Sequence, residues 1–317
     1  MTVLVTGASG FIGRHVIDEL LRSSIKVRVV CRQGSEFKHT DDSLEVVYLT
    51  GPGNAPADWG DAVAHCSAVI HLAARAHVSL DLHEDPVLAF RLANVEYARA
   101  GAEAAAIAGV QRFIFMSSVG VHGGTSGAKP IQADSPFKPH TPYACSKAQA
   151  EQALTQVVRG TRMNLVIVRP PLVYGPGAPG NFSVLVRAIA SGFPLPFGSV
   201  TNNRRSFVAI DNLVNFIMTC LNRPAGANEA FLVSDGDDIS TTDLLRSLGS
   251  IMGKPARLMP VPVGLLAFGA KLLGKRDMFQ SLCGTLQVDI SKASIFLDWK
   301  PPVSMDEGLR RAVQQRL

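Results

Sequence analysis

The sequence predicts a doubly wound parallel α/β sheet followed by a smaller C-terminal lobe, and three observations predict it. Short apolar runs alternate with longer segments of helical periodicity up to Arg169. A glycine-rich turn stands between the first run and the first helical segment. Beyond Arg169 the alternation loosens into Pro- and Gly-rich turns and short helical patterns. Such a rhythm belongs to parallel sheets, whose strands need crossover helices between them.

Taken in order, the apolar runs at 2–6, 26–31, 44–49, 67–72, 111–116 and 164–169 read as strands. Gly51 to Pro56 and Gly175 to Gly180 read as surface loops. The second loop marks the border between a dinucleotide-binding unit, 1–174, and a mainly substrate-binding lobe, 175–317, with a strand returning to the first unit near 205–222. The most apolar stretch, Leu258 to Leu273, contains Pro260, Pro262 and Lys271. It is shorter than the roughly 20 residues of a membrane helix, so it reads as an amphipathic helix docked on the protein, with a membrane-surface role as the other reading, and no integral membrane segment is expected.

The chain of 317 residues has room for one large or two modest domains, and 47% hydrophobic against 18% charged residues excludes disorder for most of it. Its 31 Lys plus Arg against 26 Asp plus Glu give +5 without a basic cluster, which argues against nucleic acid and for an anionic small molecule. Cys31, Cys66, Cys145, Cys220 and Cys283 are dispersed, with no CxxC pair and no metal-ligand spacing. No metal is expected, and reduced thiols point to the cytoplasm. Met1 runs directly into the first strand, so no targeting segment is expected.

After that first strand comes Gly7-Ala8-Ser9-Gly10-Phe11-Ile12-Gly13, followed by Val16, Leu20 and Leu21 at helical spacing. The first glycine of such a turn permits the tight bend, the second admits a pyrophosphate to the backbone, and the third packs helix on strand. The helix N-terminus then faces the anion. Gly7, Gly10, Phe11, Ile12 and Gly13 are therefore expected to bind a dinucleotide. NAD-binding units place an acid about 20 residues further on for the ribose hydroxyls. The second strand instead ends Cys31-Arg32. Arg32 can pair with a 2′-phosphate, so NADP is the expected cofactor, with NAD as the other candidate.

The fifth strand ends in Ser117-Ser118, and Tyr143 and Lys147 follow four residues apart, on one face of a helix. Thr141 and Pro142 suit its cap and first turn. A tyrosine is a poor base at neutral pH unless a cation stabilises its phenolate, and Lys147 offers one. Ser118, at a strand's C-terminal edge, can hold a reacting oxygen beside Tyr143. The expected catalytic residues are Ser118, Tyr143 and Lys147.

With these residues in place the chain resembles, over nearly its whole length, the extended short-chain dehydrogenase/reductase family, in its nucleotide-sugar epimerase, dehydratase and 4-ketoreductase branch. The resemblance rests on GASGFIG, His71-Leu72-Ala73-Ala74, Asn94-Val95, Ser117-Ser118, Tyr143/Lys147 and the run Arg169 to Pro176. It implies a Rossmann-type sheet in which Lys147 also grips the nicotinamide ribose. It further implies that Leu72, Ala73 and Ala74 line the cofactor, that Asn94 helps order the site, and that the nicotinamide lies near Pro170 and Val173. On the substrate side it implies a UDP-sugar held by Asn181, Phe182 and Arg205, the arginine clamping the diphosphate. Leu286 falls where a bulky aromatic narrows the pocket of epimerases restricted to sugars without an N-acetyl group.

Dehydratases of this branch carry an Asp-Glu pair after the strand serine or threonine, whereas Ser118 here precedes Val119-Gly120. Hydride transfer at a sugar carbon remains. The preferred expectation is an NADP(H)-dependent reductase of a UDP-linked 4-keto-6-deoxy N-acetylhexosamine, in the manner of bacterial polysaccharide enzymes. The alternative is a UDP-sugar 4-epimerase with tightly held NAD. A non-enzymatic dinucleotide sensor is the third reading, against which stand Ser118, Tyr143 and Lys147. A homodimer is compatible with all three.

Overall fold

The structure is a computed structural model that describes residues 1–34, 37, 41–49, 58–76 and 85–314. Its strands are β1 (Thr2–Thr6), β2 (Lys26–Arg32), β3 (Leu44–Leu49), β4 (Ala68–His71), β5 (Arg112–Met116), β6 (Asn164–Arg169), β7 (Leu172–Tyr174), β8 (Arg205–Ala209), β9 (Glu229–Leu232) and β10 (Asp238–Ile239). The helices are α1 (Phe11–Arg22), α2 (Gly60–Val63), α3 (Pro86–Arg91), α4 (Tyr97–Ile107), α5 (Pro142–Val158), α6 (Asn181–Ala190), α7 (Ile210–Asn222), α8 (Thr241–Ile251), α9 (Val263–Leu272), α10 (Arg276–Cys283), α11 (Ser291–Leu297) and α12 (Met305–Gln314). The six predicted strands stand where the apolar runs put them, within one residue at either end.

A seven-stranded sheet in the order β3-β2-β1-β4-β5-β6-β9 is parallel throughout. It is the Rossmann-type doubly wound sheet, and its strand order reverses between β1 and β4, where such sheets open a crevice. Both faces are covered, which explains why the central strands read as unbroken apolar runs. Val3, Val5, Ile114, Met116, Val166 and Val168 point into a core completed by α1, α7 and α11. Their strand neighbours Leu4, Phe113, Phe115, Leu165 and Ile167 point into the opposite core with α2, α4 and α5. The two-residue period of a strand thus feeds two layers at once.

A second sheet, β10-β8-β7, joins a third core in which Phe182, Leu185 and Ile189 of α6 meet Leu244, Leu245 and Leu248 of α8 and Leu309 of α12. The crossing expected as a strand near 205–222 is made differently. Arg205–Ala209 forms β8 of the second sheet, α7 then packs against α1, and β9 completes the large sheet beside β6. The reason is periodicity: Leu213, Phe216, Ile217, Cys220 and Leu221 repeat at three- and four-residue steps and make a buried helical stripe. The Arg112 guanidinium on β5 donates to the Cys220, Leu221 and Arg223 carbonyls, satisfying the C-terminal end of α7.

The docked amphipathic helix expected within 258–273 is also corrected. Its helix, α9, contains no buried residue. Leu266, Ala267 and Ala270 are half-buried toward the protein, while Leu265, Phe268 and Leu272 share an exposed arc on the other side, so apolar residues stand on both sides and the helix is not divided into an apolar inner and a polar outer face. No helix among the described residues is long and apolar enough to cross a membrane. The Gly51 to Pro56 loop, and His77 and Val78 after the Ala73-Ala74 motif, lie outside the described residues.

Candidate active site

The glycine turn closes β1 onto α1 at the crevice. Gly7 has φ +71°, and a Cβ there would lie 2.7 Å from the Ala73 nitrogen and 2.8 Å from the Leu72 carbonyl carbon. At Gly13 a Cβ would lie 2.2 Å from the Gly7 carbonyl oxygen. The turn therefore sits against Leu72 and Ala73 at the end of β4, and only glycine allows it. Gly10 caps α1 with no side-chain hydrogen bond, and the first turn, Phe11-Ile12-Gly13, carries no acid. A bare helix N-terminus in a glycine cradle fits the pyrophosphate of a dinucleotide. Thr6, missed at the sequence level, supports it: its hydroxyl accepts from the Ala73 amide at 3.1 Å and pairs with His71 Nδ1 at 3.2 Å. Arg32 ends β2 exposed at the same edge of the sheet. Pro170 is buried in the turn from β6 to β7, Val173 is partly buried on β7, and the Pro170 carbonyl accepts from the Val119 amide at 3.0 Å. Asn94 is fully buried and spends its amide on the protein: Nδ2 donates to Ser146 Oγ and the Arg75 carbonyl, and Oδ1 accepts from the Arg75 amide. It ties the irregular segment after β4 to α5.

The structure sets Ser118 against the first turn of α5, the helix that carries Tyr143 and Lys147. Thr141 caps α5 by accepting from the Ala144 amide, and Pro142 follows as anticipated. Ser118 opens a 3₁₀ turn over Val119–His122, where its Oγ accepts from the Gly120 amide at 3.1 Å and keeps its proton to donate. A Cβ on Gly120 would lie 3.3 Å from that Oγ and 3.5 Å from the Ala144 Cβ, so the serine abuts the first turn of α5. Lys147 is 1% exposed; its Nζ donates to the Met116 carbonyl at 2.7 Å and lies 4.5 Å from the Phe115 ring centroid. Burial pushes Tyr143 up to about 12. Burial also pulls Lys147 down to about 7, opposed by the nearby Glu151 carboxylate. Desolvation disfavours both charged forms.

Beneath this group lies a buried network that the sequence reading missed. Glu151, one turn beyond Lys147, receives Arg169 in a forked pair, Nε to Oε1 at 2.9 Å and Nη2 to Oε2 at 2.6 Å. Ser117 Oγ donates to Oε1 at 2.5 Å. Arg169 Nη1 continues to His122 Nε2 at 3.0 Å and the Ala133 carbonyl at 2.6 Å. Burial and Arg169 lower the His122 pKa, so its Nε2 accepts from Arg169. The spacing of 143, 147 and 151 on α5 was the available signal.

On the substrate side, Arg205 is 7% exposed, and its Nη1 donates to the Gln280 and Gly284 carbonyls at 3.3 and 3.0 Å. Its Nε is buried without a hydrogen-bond partner. Burial lowers its pKa only to about 10, so it stays cationic at neutral pH. A buried cation held by carbonyls, with a donor left over, suits an anion. Asn181 is exposed at the first position of α6. Phe182 is corrected: it lies in the second lobe's core, 5.4 Å from the Tyr174 ring, because it belongs to the stripe 182/185/186/189. Leu286 is buried with Val119 and Val288. Among the described residues no cluster of metal-ligating side chains occurs.

A sequence model described as the NAD dependent epimerase/dehydratase family matches residues 3–234. The chain is 40% identical over 315 residues to UDP-glucose 4-epimerase of Vibrio cholerae, covering 99% of this chain and 94% of that one. It is 28% identical to N-acetyl-alpha-D-glucosaminyl-diphospho-ditrans,octacis-undecaprenol 4-epimerase of Escherichia coli O157:H7, covering 98% and 94%. Among solved structures, UDP-glucuronic acid 4-epimerase from Bacillus cereus in complex with NAD superposes with a TM-score of 0.77 at 23% identity, covering 98% of this chain and 95% of that one.

Proposed function

The chain belongs to the NAD dependent epimerase/dehydratase family, and from that premise we propose that it is a UDP-sugar 4-epimerase that retains NAD through turnover. The relative from Vibrio cholerae, similar across nearly all of both chains, carries this reading. It favours epimerisation over the single reduction that Arg32 suggested. NAD in the Bacillus cereus neighbour likewise favours NAD over NADP. Besides the cofactor and the oxidation state of the incoming sugar, the two readings differ in whether the sugar leaves after one hydride transfer or turns over in the pocket and takes the hydride back.

A bound dinucleotide supplies a hydride acceptor and donor at sugar C4. The chain supplies the rest. Gly7, Gly10 and Gly13 hold the pyrophosphate against the uncapped start of α1. Arg205 offers its unpartnered Nε to the sugar diphosphate, with exposed Asn181 toward the nucleotide. Ser118 donates to the 4-oxygen and fixes its place beside Tyr143, which as a phenolate accepts the hydroxyl proton while C4 is oxidised and as a phenol returns it to the 4-oxygen when C4 is reduced again. Burial opposes that phenolate, and the cationic form of Lys147 offsets the cost of its charge. Glu151, itself compensated by Arg169, favours the charged form of Lys147.

Incubation with UDP-glucose and UDP-N-acetylglucosamine, with product stereochemistry followed by NMR, tests the reading. The C4 epimer should form without net oxidation of added NADPH. Oxidation of NADPH with a 4-keto-6-deoxy sugar nucleotide, and no C4 epimer from either substrate, would return the assignment to the reductase.

A further inference from the structure

α9 and α10 pack on each other as a helical hairpin at the rim of the candidate site. The Gln280 and Gly284 carbonyls, in and just after α10, hold Arg205. The Thr285 carbonyl accepts from the Ser126 amide at 3.1 Å, close beyond the turn that Ser118 opens. Away from that rim the hairpin is uncovered. Val263, Leu265, Phe268, Leu272, Leu273 and Met278 are between 38% and 72% exposed. A helix apolar on both sides ordinarily sits in a core or in lipid, and a contiguous exposed apolar patch marks a contact surface.

The charges beside the patch identify the contact. At the end of α9, in the turn and at the start of α10 stand Lys271, Lys275 and Arg276, all exposed, against the single acid Asp277. Protein interfaces are poor in lysine at their centres. Apolar side chains surrounded by lysine and arginine match a membrane surface, where acyl chains take the former and anionic headgroups the latter. Ten helical residues span about 15 Å, half of a hydrocarbon core of about 30 Å, so the helix can lie in the interface but not cross it.

We infer that the α9–α10 hairpin docks this protein peripherally on an anionic lipid bilayer. Leu265, Phe268 and Leu272 enter the headgroup boundary, and Lys271, Lys275 and Arg276 meet lipid phosphates. Docking in this way sets Arg205 and the substrate cleft next to the membrane surface. The inference is independent of the reaction assigned above.

Flotation of the full chain with vesicles tests it. Vesicles of phosphatidylcholine with phosphatidylglycerol should carry the protein, while phosphatidylcholine alone, or raised salt, should weaken capture about tenfold. Leu265→Asp/Phe268→Asp and Lys271→Glu/Lys275→Glu should each cut capture about tenfold with the melting temperature unchanged, since all four side chains are exposed. Failure to float with anionic vesicles overturns the inference, as does equal capture of wild type and both variants. A dimer in sedimentation velocity that Leu265→Asp/Phe268→Asp dissociates, without vesicle binding, would assign the patch to a second copy instead.

Discussion

Tyr143 and Lys147 lie four residues apart on α5, both buried enough to resist their charged forms. Tyr143→Phe keeps the ring and removes the proton, so turnover should fall by about 10²- to 10⁴-fold, while dinucleotide affinity, read by titration, should hold. The lysine leaves a signature in stability. Its folded pKa, about 7, is below its ordinary 10.5, so between those values the unfolded chain binds the extra proton. Stability therefore rises with pH from about 7 to about 10. Lys147→Met should flatten that rise in denaturant titrations at pH 7 and pH 9.5. Glu151→Gln leaves Arg169 buried with its counter-charge removed, and melting should report a loss of about 3 to 5 kcal/mol. Recovery of much of that loss in Glu151→Gln/Arg169→Met would identify the pairing, not the volume, as the cause. Ser118, Tyr143 and Lys147 were legible because strand end and helix spacing are local signals. The partners of Arg169 were not: Glu151 is 18 residues away and His122 is 47 away, distances that only the folded sheet closes.

At the scale of elements, the glycine turn shows how one atom decides a binding site. A Cβ at residue 13 would sit 2.2 Å from the Gly7 carbonyl oxygen, so Gly13→Ala must push α1 away from β1. Dinucleotide affinity should fall about tenfold or more in a fluorescence titration, because the helix N-terminus would no longer face the pyrophosphate. The same turn was readable in sequence because each glycine performs a separate geometric task. Elements whose partners lie far along the chain were less readable. Phe182 stands at the start of a helix near the expected cleft, yet the stripe it shares with Leu185, Val186 and Ile189 commits it to the second core. The α9 stretch announces a helix without announcing where it rests, since apolar residues on both sides name no partner face. For 205–222 a returning strand was expected, but the helical stripe after Ala209 makes most of that span α7, and pairing with β7 and β10 puts its short strand in the second sheet.

For the whole molecule, the parallel sheet followed from alternation alone, while the path between lobes did not. After leaving the large sheet at Arg169, the chain enters the second sheet, returns through α7 and β9, departs again for α8 to α10, and comes back with α11. Asp235 pins the crossing: its carboxylate accepts from the Tyr174 hydroxyl, the Ala209 amide and Asn212 Nδ2. A fragment of residues 1–174 would lose Leu213, Phe216, Ile217, Phe231 and Trp299 from its main core. It should lack a cooperative thermal transition and near-ultraviolet dichroism. The same interlacing bears on how such a chain changes over evolutionary time. A lobe strung on one linker can be cut out and replaced as a cassette. Here any such exchange severs the large sheet's own last strand and two of its covering helices, so new substrates must be won by single substitutions along β8, α6 and α10, each screened by the stability of the whole.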